Sequence, residues 1–226
     1  MILYAIPTPL GGTPVEALPA PAIEKVKSLS DFVVENAKSA RAFLGALGMP
    51  VRALNIRAID EEVSGLLQPL RERRPLGLLS EAGCPAIADP GAALVEAARR
   101  EGFKVVPLVG PSSIVLALMA SGLEGQRFAF CGYLPREPED REKRIRELEL
   151  RSRKERETEI FIETPYRNDA LFAALLATCA PTTRLCVAAD LTLPGEDIAT
   201  RRVNEWKGSA GPGKRPAVFL LLADVR

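Results

Sequence analysis

Short apolar segments alternate with amphipathic ones along the first half of this chain. The apolar segments have the length of buried strands, and most are followed by residues with helical spacing. The predicted strands are Ile2–Ile6, Phe32–Val34, Val51–Asn55, Pro75–Ser80 and Lys104–Leu108. The predicted helices are Lys38–Leu47, a segment capped by Asp60 and ending near Arg73, and Gly91–Arg100. This alternation predicts an α/β fold with a mostly parallel sheet.

The pattern changes after about residue 110, and no internal repeat is visible. Further strands are predicted over Phe128–Tyr133, Glu159–Glu163, Arg184–Ala189 and Ala217–Ala223, with a helix over Asn168–Thr178. These segments are enough for a second sheet of their own. The sequence therefore predicts two α/β domains, residues 1–112 and 113–226, rather than one.

Charge and composition exclude several classes of site. The 30 basic and 29 acidic side chains leave a net charge of +1, so binding of nucleic acid or of an anionic membrane would need a local patch. The chain has no histidine, which excludes Ser-His-Asp and Cys-His nucleophiles, His-ligated zinc and a histidine base. Its four cysteines form no CxxC pair, so we expect no metal site. Proton transfer falls to carboxylates, Lys, Tyr, Cys or the substrate.

Neither a signal peptide nor a membrane span is expected. The N-terminal segment lacks a basic region and reaches a proline at Pro7, so a cytoplasmic location is the expectation. Residues 105–123 carry no charge, but Pro107, Gly110 and Pro111 would interrupt a helix there. This stretch is better interpreted as a strand, a turn and a helix over Ile114–Ala120.

A glycine-rich stretch at 208–215, GSAGPGKR, matches the first seven positions of a nucleotide-binding P-loop. The eighth position requires the hydroxyl of Ser or Thr, and Arg215 stands there instead. A strand also follows the stretch where a P-loop needs a helix. We interpret it as a surface loop that does not bind nucleoside triphosphates.

Two loops follow predicted strands of the first domain, at the place where open α/β sheets bind ligands. In the first, Gly83 allows a ligand to approach the backbone, and Asp89 serves either as a helix cap or in catalysis. In the second, Ser112 or Ser113 either caps the next helix or, with the amides of its first turn, binds a carboxylate or ribose.

Two charged segments of the second half leave alternatives open. Glu163, Tyr166 and Arg167 follow a buried strand and form either a site or an exposed turn. Residues 136–156 contain nine basic and seven acidic side chains. They form either a solvated helix or, through its basic end, a phosphate-binding surface. The basic side chains at that end are Arg151, Arg153, Lys154 and Arg156.

An ordered set of motifs resembles the tetrapyrrole methylase superfamily. The strings LYAIPTPLG, LLSEAGCPAIADPG, VVPLVGPSS, GYLP and IFIETPYR occur in that order and span nearly the whole chain. They are most similar to those of the small-subunit rRNA cytidine 2′-O-methyltransferases. The resemblance implies two α/β domains, S-adenosylmethionine in the cleft between them, and a homodimer.

The resemblance also implies which residues contact S-adenosylmethionine. In the first domain and at the junction they are Leu10, Gly83, Cys84, Ile87, Ser112 and Ser113. In the second domain they are Tyr133, Leu134, Ile162, Ala189, Pro216 and Ala217. For catalysis we expect Glu163 with Arg167 first and Asp89 second, with the carboxylates as candidate bases.

The acceptor side differs from the rRNA branch. That branch usually has Glu-Asp-Thr-Arg where this chain has Glu35-Asn36-Ala37-Lys38, and a histidine where Tyr166 stands. Cys84 replaces the acidic residue of a Gly-Asp-Pro loop. A methyltransferase acting on RNA at the ribose 2′-oxygen is the leading hypothesis. The alternatives are a small-molecule acceptor such as a tetrapyrrole, or an inactive cofactor-binding regulator.

Overall fold

The computed structural model describes residues 1–224, which contain two five-stranded sheets. These residues divide into two compact units, one spanning Met1–Ser112 and the other beginning at Ser113. Each unit has its own sheet and its own apolar core. The α/β class predicted from the alternation of segments is confirmed.

The sheet of the first unit is entirely parallel. Its strands are β1 (Ile2–Ile6), β2 (Asp31–Val34), β3 (Asn55–Ala58), β4 (Leu76–Leu79) and β5 (Lys104–Pro107). Their spatial order is β3-β2-β4-β1-β5. Helices cover both faces of such a sheet, which explains why its central strands are continuous apolar runs rather than alternating ones. The carboxyl ends of all five strands therefore lie at one edge.

Six helices connect these strands. They are α1 (Pro14–Ala17), α2 (Ala20–Lys27), α3 (Ala37–Ala46), α4 (Val63–Leu66), α5 (Gln68–Arg71) and α6 (Ala92–Arg100). On one face of the sheet Ile6 and Phe32 pack with Leu44 of α3. On the other face Leu3 and Leu78 pack with Leu94 of α6. Neighbouring strand residues thus enter opposite layers of the core.

The predicted bounds of the third strand and the predicted cap of the next helix were wrong. A 3₁₀ turn occupies Val51–Ala53, and the strand begins only at Asn55, whose side chain donates to Asp31 Oδ1 of the neighbouring strand at 2.9 Å. The next helix is capped by Glu62, which accepts from two amides of the first turn, and not by Asp60.

The helix predicted to run to Arg73 is interrupted near its middle. Pro69 has no amide hydrogen, so it cannot donate to the carbonyl of Gly65. That carbonyl accepts from Nη1 of Arg57 at 2.7 Å instead. The segment consequently forms two short helices, α4 and α5.

The second unit has a mixed sheet. Its strands are β6 (Phe128–Tyr133), β7 (Thr158–Ile162), β8 (Arg184–Ala189), β9 (Asp197–Arg202) and β10 (Ala217–Leu222), in the spatial order β6-β7-β10-β8-β9. Only the pair β6 and β7 is parallel. The sequence did not predict β9, an edge strand whose residues are all exposed or half-buried and which ends in two arginines.

Three helices complete this unit: α7 (Ser113–Ser121), α8 (Pro138–Glu155) and α9 (Asn168–Thr178). The charged segment is thus the single helix α8, which buries Ile145, Leu148 and Ser152 on one face and leaves most of its charges in solvent. Across residues 1–224 no helix is long and apolar enough to cross a membrane, and residues 105–123 form strand, loop and helix.

Candidate functional site

Three loops meet at the carboxyl edge of the first sheet. The loop after β1 is joined to the loop after β4 by two backbone hydrogen bonds between Thr8 and Gly83, at 2.9 and 3.0 Å. The Cys84 thiol donates to the carbonyl of Pro111 in the loop after β5, at 3.4 Å. Burial raises the pKa of this thiol. The structure therefore brings together segments that lie far apart in the sequence.

Gly83 lies where these loops approach each other most closely. Its φ is +74°, a region that favours glycine, and a Cβ at this position would lie 3.3 Å from Cδ2 of Leu10. The backbone leaves room there only because the residue has no side chain. Ile87, in the same loop, is half exposed between Ala86 and Ala88, both at positive φ. A small apolar ligand surface is consistent with these features.

The serines predicted at the third loop lie at the start of α7. Ser112 directly precedes this helix, and Ser113 is its first residue. Both are half-buried. They thus lie at the first turn of a helix, as the sequence predicted.

Asp89 does not cap α6, so the capping alternative was wrong. The cap position is Gly91, with φ +132°, and no side chain bonds to the first turn. Asp89 is half-buried, and its pKa is raised to about 6 by burial and by the nearby charges of Glu35 and Glu81, partly offset by a hydrogen bond with Ser80. A carboxyl group with this pKa is mostly ionised at neutral pH and can accept a proton.

In the second unit, the predicted cofactor residues cluster at one end of the sheet. Tyr133 pairs with Ile162, which also pairs with Val218, and Ala189 pairs with Ala217. Because β10 runs antiparallel to β7 and β8, its first residue lies beside their last ones. The carbonyl of Pro216 accepts from the amide of Asp190 at 3.0 Å, which closes this end.

Glu163 and Arg167 form a buried ion pair just beyond β7. Arg167 Nη2 lies 2.5 Å from Glu163 Oε1, which also accepts the Thr164 amide at 2.6 Å. The side chain of Glu163 is only 1% exposed. These contacts fix the position of the Glu163 carboxylate beside Arg167, and its role in catalysis stays a prediction.

A cavity of about 480 Å³ adjoins this ion pair. It is lined by Tyr133, Leu134, Pro135, Arg136, Thr164 and Arg167. Sequence reasoning selected Tyr133, Leu134 and Arg167 but missed Arg136. Arg136 could have been selected from the sequence, because it directly follows the GYLP motif and is the first basic residue after an aromatic strand.

The glycine-rich stretch at 208–215 is a loop that precedes β10. Asn168 of α9 donates its side-chain amide to the carbonyls of Gly213 and Arg215, at 3.2 and 2.7 Å. The amide of Gly213 donates to Asp169 at 2.9 Å. The stretch is thus fastened to α9 and followed by a strand, unlike a P-loop.

The basic end of α8 is not a uniform set of free charges. Arg151 donates to both oxygens of Glu159, whose side chain is fully buried, and lies 3.0 Å from Glu157. Lys154 is 79% exposed. Arg151 is therefore held in an ion pair within the fold, and contact of this basic end with phosphate stays a prediction.

Comparison with known proteins gives one family. The sequence profile described as Tetrapyrrole (Corrin/Porphyrin) Methylases matches residues 17–206. Three relatives carry the name Ribosomal RNA small subunit methyltransferase I. The one from Halalkalibacterium halodurans is 34% identical over 73% of this chain and 56% of its own length. Those from Vibrio cholerae and Bacillus subtilis are 31% and 29% identical over 100% and 99% of this chain, and 78% and 75% of their own lengths.

Two solved structures share the fold. The methyltransferase CobJ has a TM-score of 0.65 at 18% identity, covering 98% of this chain and 93% of its own. The uroporphyrin-III-C-methyltransferase from Thermus thermophilus has a TM-score of 0.57 at 22% identity, covering 99% and 95%. Profile, relatives and fold agree with the strand-end loops described above. The chain belongs to the tetrapyrrole (corrin/porphyrin) methylase family, in its rRNA methyltransferase branch, and is a methyltransferase that depends on S-adenosylmethionine.

Proposed function

We propose that this enzyme methylates RNA at the 2′-hydroxyl of a ribose. The observation that carries the methyl-donor side is the meeting of three strand-end loops at Gly83. The RNA acceptor is supported by relatives named as ribosomal RNA methyltransferases that match nearly the whole chain. In keeping with these bacterial relatives, we propose a cytoplasmic location.

The residues present fit S-adenosylmethionine. The space at Gly83 that a Cβ would fill, with the side chain of Leu10 beside it and the half-exposed Ile87 in the same loop, suits a thioether and an adenine. Bound there, the cofactor supplies an electrophilic methyl group. The protein's own task is then to align the acceptor hydroxyl, exclude water and receive the proton that the hydroxyl loses.

We assign the proton-accepting role to Asp89. Without histidine, a carboxyl group whose pKa is about 6 is well suited to this task near neutral pH. Replacing Asp89 with Asn is expected to lower kcat about 100-fold or more, since positioned bases contribute roughly 10²–10⁴. In the parent enzyme kcat should fall as the pH drops below about 6, where Asp89 is protonated.

Measurements of protein stability distinguish a catalytic role of Asp89 from a structural one. The pKa of Asp89 is higher in the folded chain than its ordinary value of 3.8, so the ionised form is disfavoured by folding. Stability contributed by this group therefore declines as the pH rises between 3.8 and about 6. Asp89→Asn should consequently not destabilise the protein at pH 7. A clear loss of thermal stability, or a pH profile of kcat that the substitution leaves unchanged, would contradict the assignment.

Methyl transfer from labelled cofactor tests the acceptor directly. We expect label to enter the RNA fraction of a cell extract, and nuclease digestion to locate it on a 2′-O-methyl nucleoside. Label in the small-molecule fraction would favour an acceptor such as a tetrapyrrole. Cofactor binding without transfer to any fraction would favour a regulator.

The family resemblance also implies a homodimer, which we propose for this chain. Light scattering during size-exclusion chromatography measures its mass directly. One chain has a mass of 24.4 kDa, so a dimer should give a measured mass of about twice that value.

A further inference from the structure

One buried hydrogen-bond donor beside the cavity has no partner. Nη2 of Arg167 bonds Glu163, and Nε lies 3.3 Å from Thr164 Oγ1. Nη1 of Arg167 is buried without an acceptor among residues 1–224. A buried donor of this kind destabilises the fold unless a ligand or a water molecule satisfies it. The ion pair with Glu163 thus holds the guanidinium in place beside the cavity that Arg167 lines.

A second arginine, Arg136, lines the same cavity. Arg136 is exposed, and its carbonyl accepts from Nη1 of Arg141 at 3.1 Å, which fixes the backbone at this point. The cavity-lining residues include two arginines and no carboxylate. The acidic residues nearest in sequence, Glu137, Glu139 and Asp140, are exposed at the start of α8 and do not line it. The lining therefore selects an oxyanion.

Two exposed tyrosines lie close in the sequence to these arginines. Tyr133 lines the cavity and is 54% exposed. Tyr166, next to Arg167, is 83% exposed, and Nζ of Lys214 lies 5.4 Å from the centre of its ring. Cationic groups beside exposed aromatic rings are typical of proteins that bind single-stranded RNA, in which phosphates pair with arginine and bases stack on the rings.

We propose that Arg136 and Arg167 bind a backbone phosphate of the RNA acceptor, and that Tyr166 stacks on an adjacent base. This subsite rests on the proposed function, because it takes the acceptor to be RNA. An RNA phosphate is one oxyanion that the two arginines can bind. The other is the carboxylate in the methionyl part of the cofactor. The two sources make different predictions for the same variants.

The test compares Arg136→Gln with the matched control Arg184→Gln. Arg184 is an exposed residue at the start of β8, at the opposite end of the sheet from Ala189, so the charge change is the same but lies away from the cavity. The measurements are the affinity for S-adenosylhomocysteine by calorimetry and the affinity for small-subunit rRNA at several salt concentrations. Methyl transfer by the parent enzyme is measured in parallel.

We expect Arg136→Gln to weaken RNA binding about five- to tenfold and to lower its salt slope by about 0.7, the value for one contact to a single strand. Arg167→Lys should also weaken it about fivefold, since lysine keeps a charge beside Glu163 but lacks the planar fork. Tyr166→Ala should weaken binding at least about fivefold and leave the salt slope unchanged. Affinity for S-adenosylhomocysteine should stay the same in all of them, and Arg184→Gln should behave like the parent.

Each other outcome overturns the subsite. If Arg136→Gln loses affinity for S-adenosylhomocysteine, the cavity serves the carboxylate of the cofactor. If Arg136→Gln and Arg184→Gln bind RNA alike, Arg136 is an ordinary surface residue. If the parent methylates RNA while the Arg136 and Tyr166 variants match it, only the subsite fails. If the parent neither binds nor methylates RNA, the proposed function fails with it.

Discussion

Replacing Arg151 with Gln is expected to lower the free energy of unfolding by about 3 kcal/mol. The side chain of Glu159 is fully buried, and both of its oxygens accept hydrogen bonds from the guanidinium of Arg151. These bonds raise the pKa of Arg151 above its ordinary value. Removing the arginine leaves a carboxylate without its counter-charge inside the sheet. Because Arg151 is itself 39% exposed, we expect the lower end of the range for buried pairs.

Urea denaturation measures this effect, and Lys154→Gln is the control. Lys154 lies on the same helix, is 79% exposed and has only a 3.8 Å contact with its neighbour Glu155. Its replacement should change stability by less than about 0.5 kcal/mol. Replacing both partners, as Arg151→Met with Glu159→Leu, should recover most of the loss. Equal stability of the Arg151→Gln and Lys154→Gln variants would show that the buried pair contributes nothing.

This result bears on any study of RNA binding by the basic end of α8. A variant in which Arg151 is replaced together with Arg153, Lys154 and Arg156 would be destabilised for a reason unrelated to RNA. Only the other three side chains can be neutralised without removing the partner of buried Glu159.

Replacing Gly83 with Val is expected to lower the affinity for S-adenosylmethionine more than 100-fold. The backbone φ of +74° is strained for a β-branched residue, at a cost of roughly 1–2 kcal/mol. The added Cβ would also lie 3.3 Å from Leu10 and 3.8 Å from the carbonyl of Pro111. The substitution therefore requires the side chain of Leu10 to shift, and it adds two methyl groups where hydrogen bonds with Thr8 join the loops.

Gly102→Val separates the loss of the site from general strain. Gly102 follows α6 with a φ of +78°, and a Cβ there would contact nothing within 4 Å. The Gly102→Val variant should therefore lose about as much stability as the Gly83→Val variant but keep its affinity for the cofactor. Calorimetry with S-adenosylhomocysteine compares the two variants. Parental affinity in the Gly83→Val variant would remove this loop from the cofactor site.

Several helices and strands could be predicted from the pattern of residues that are close in sequence. The helix Asn168–Thr178 and the strand Arg184–Ala189 were predicted with the bounds that the structure shows. Both have a hydrophobic pattern that a window of eleven residues contains in full. Strand β9 lacks such a pattern, since as an edge strand it is held by pairing with β8 and needs little burial. The cap at Glu62 also escaped prediction, because Asp60 and Glu62 offer the same carboxylate two residues apart.

The position of the site was predictable for a geometric reason. Carboxyl ends of parallel strands share one edge of a sheet, so loops at Leu10, Gly83 and Pro111 had to approach one another once β1, β4 and β5 were recognised. The family motifs then identified the chemistry of these loops. No contact between side chains was needed for either step.

The sequence by itself thus determined the α/β class, the strand-end loops and the family. Only the tertiary structure decided which charges remain available for function. Arg151 pairs with Glu159, and Arg167 pairs with Glu163 while its buried Nη1 has no acceptor among residues 1–224. Asp89 does not cap α6 and has a pKa of about 6. The physical reason is that hydrophobic periodicity is a local property of the chain. Pairing and burial of a charge depend instead on residues that meet only after the chain has folded.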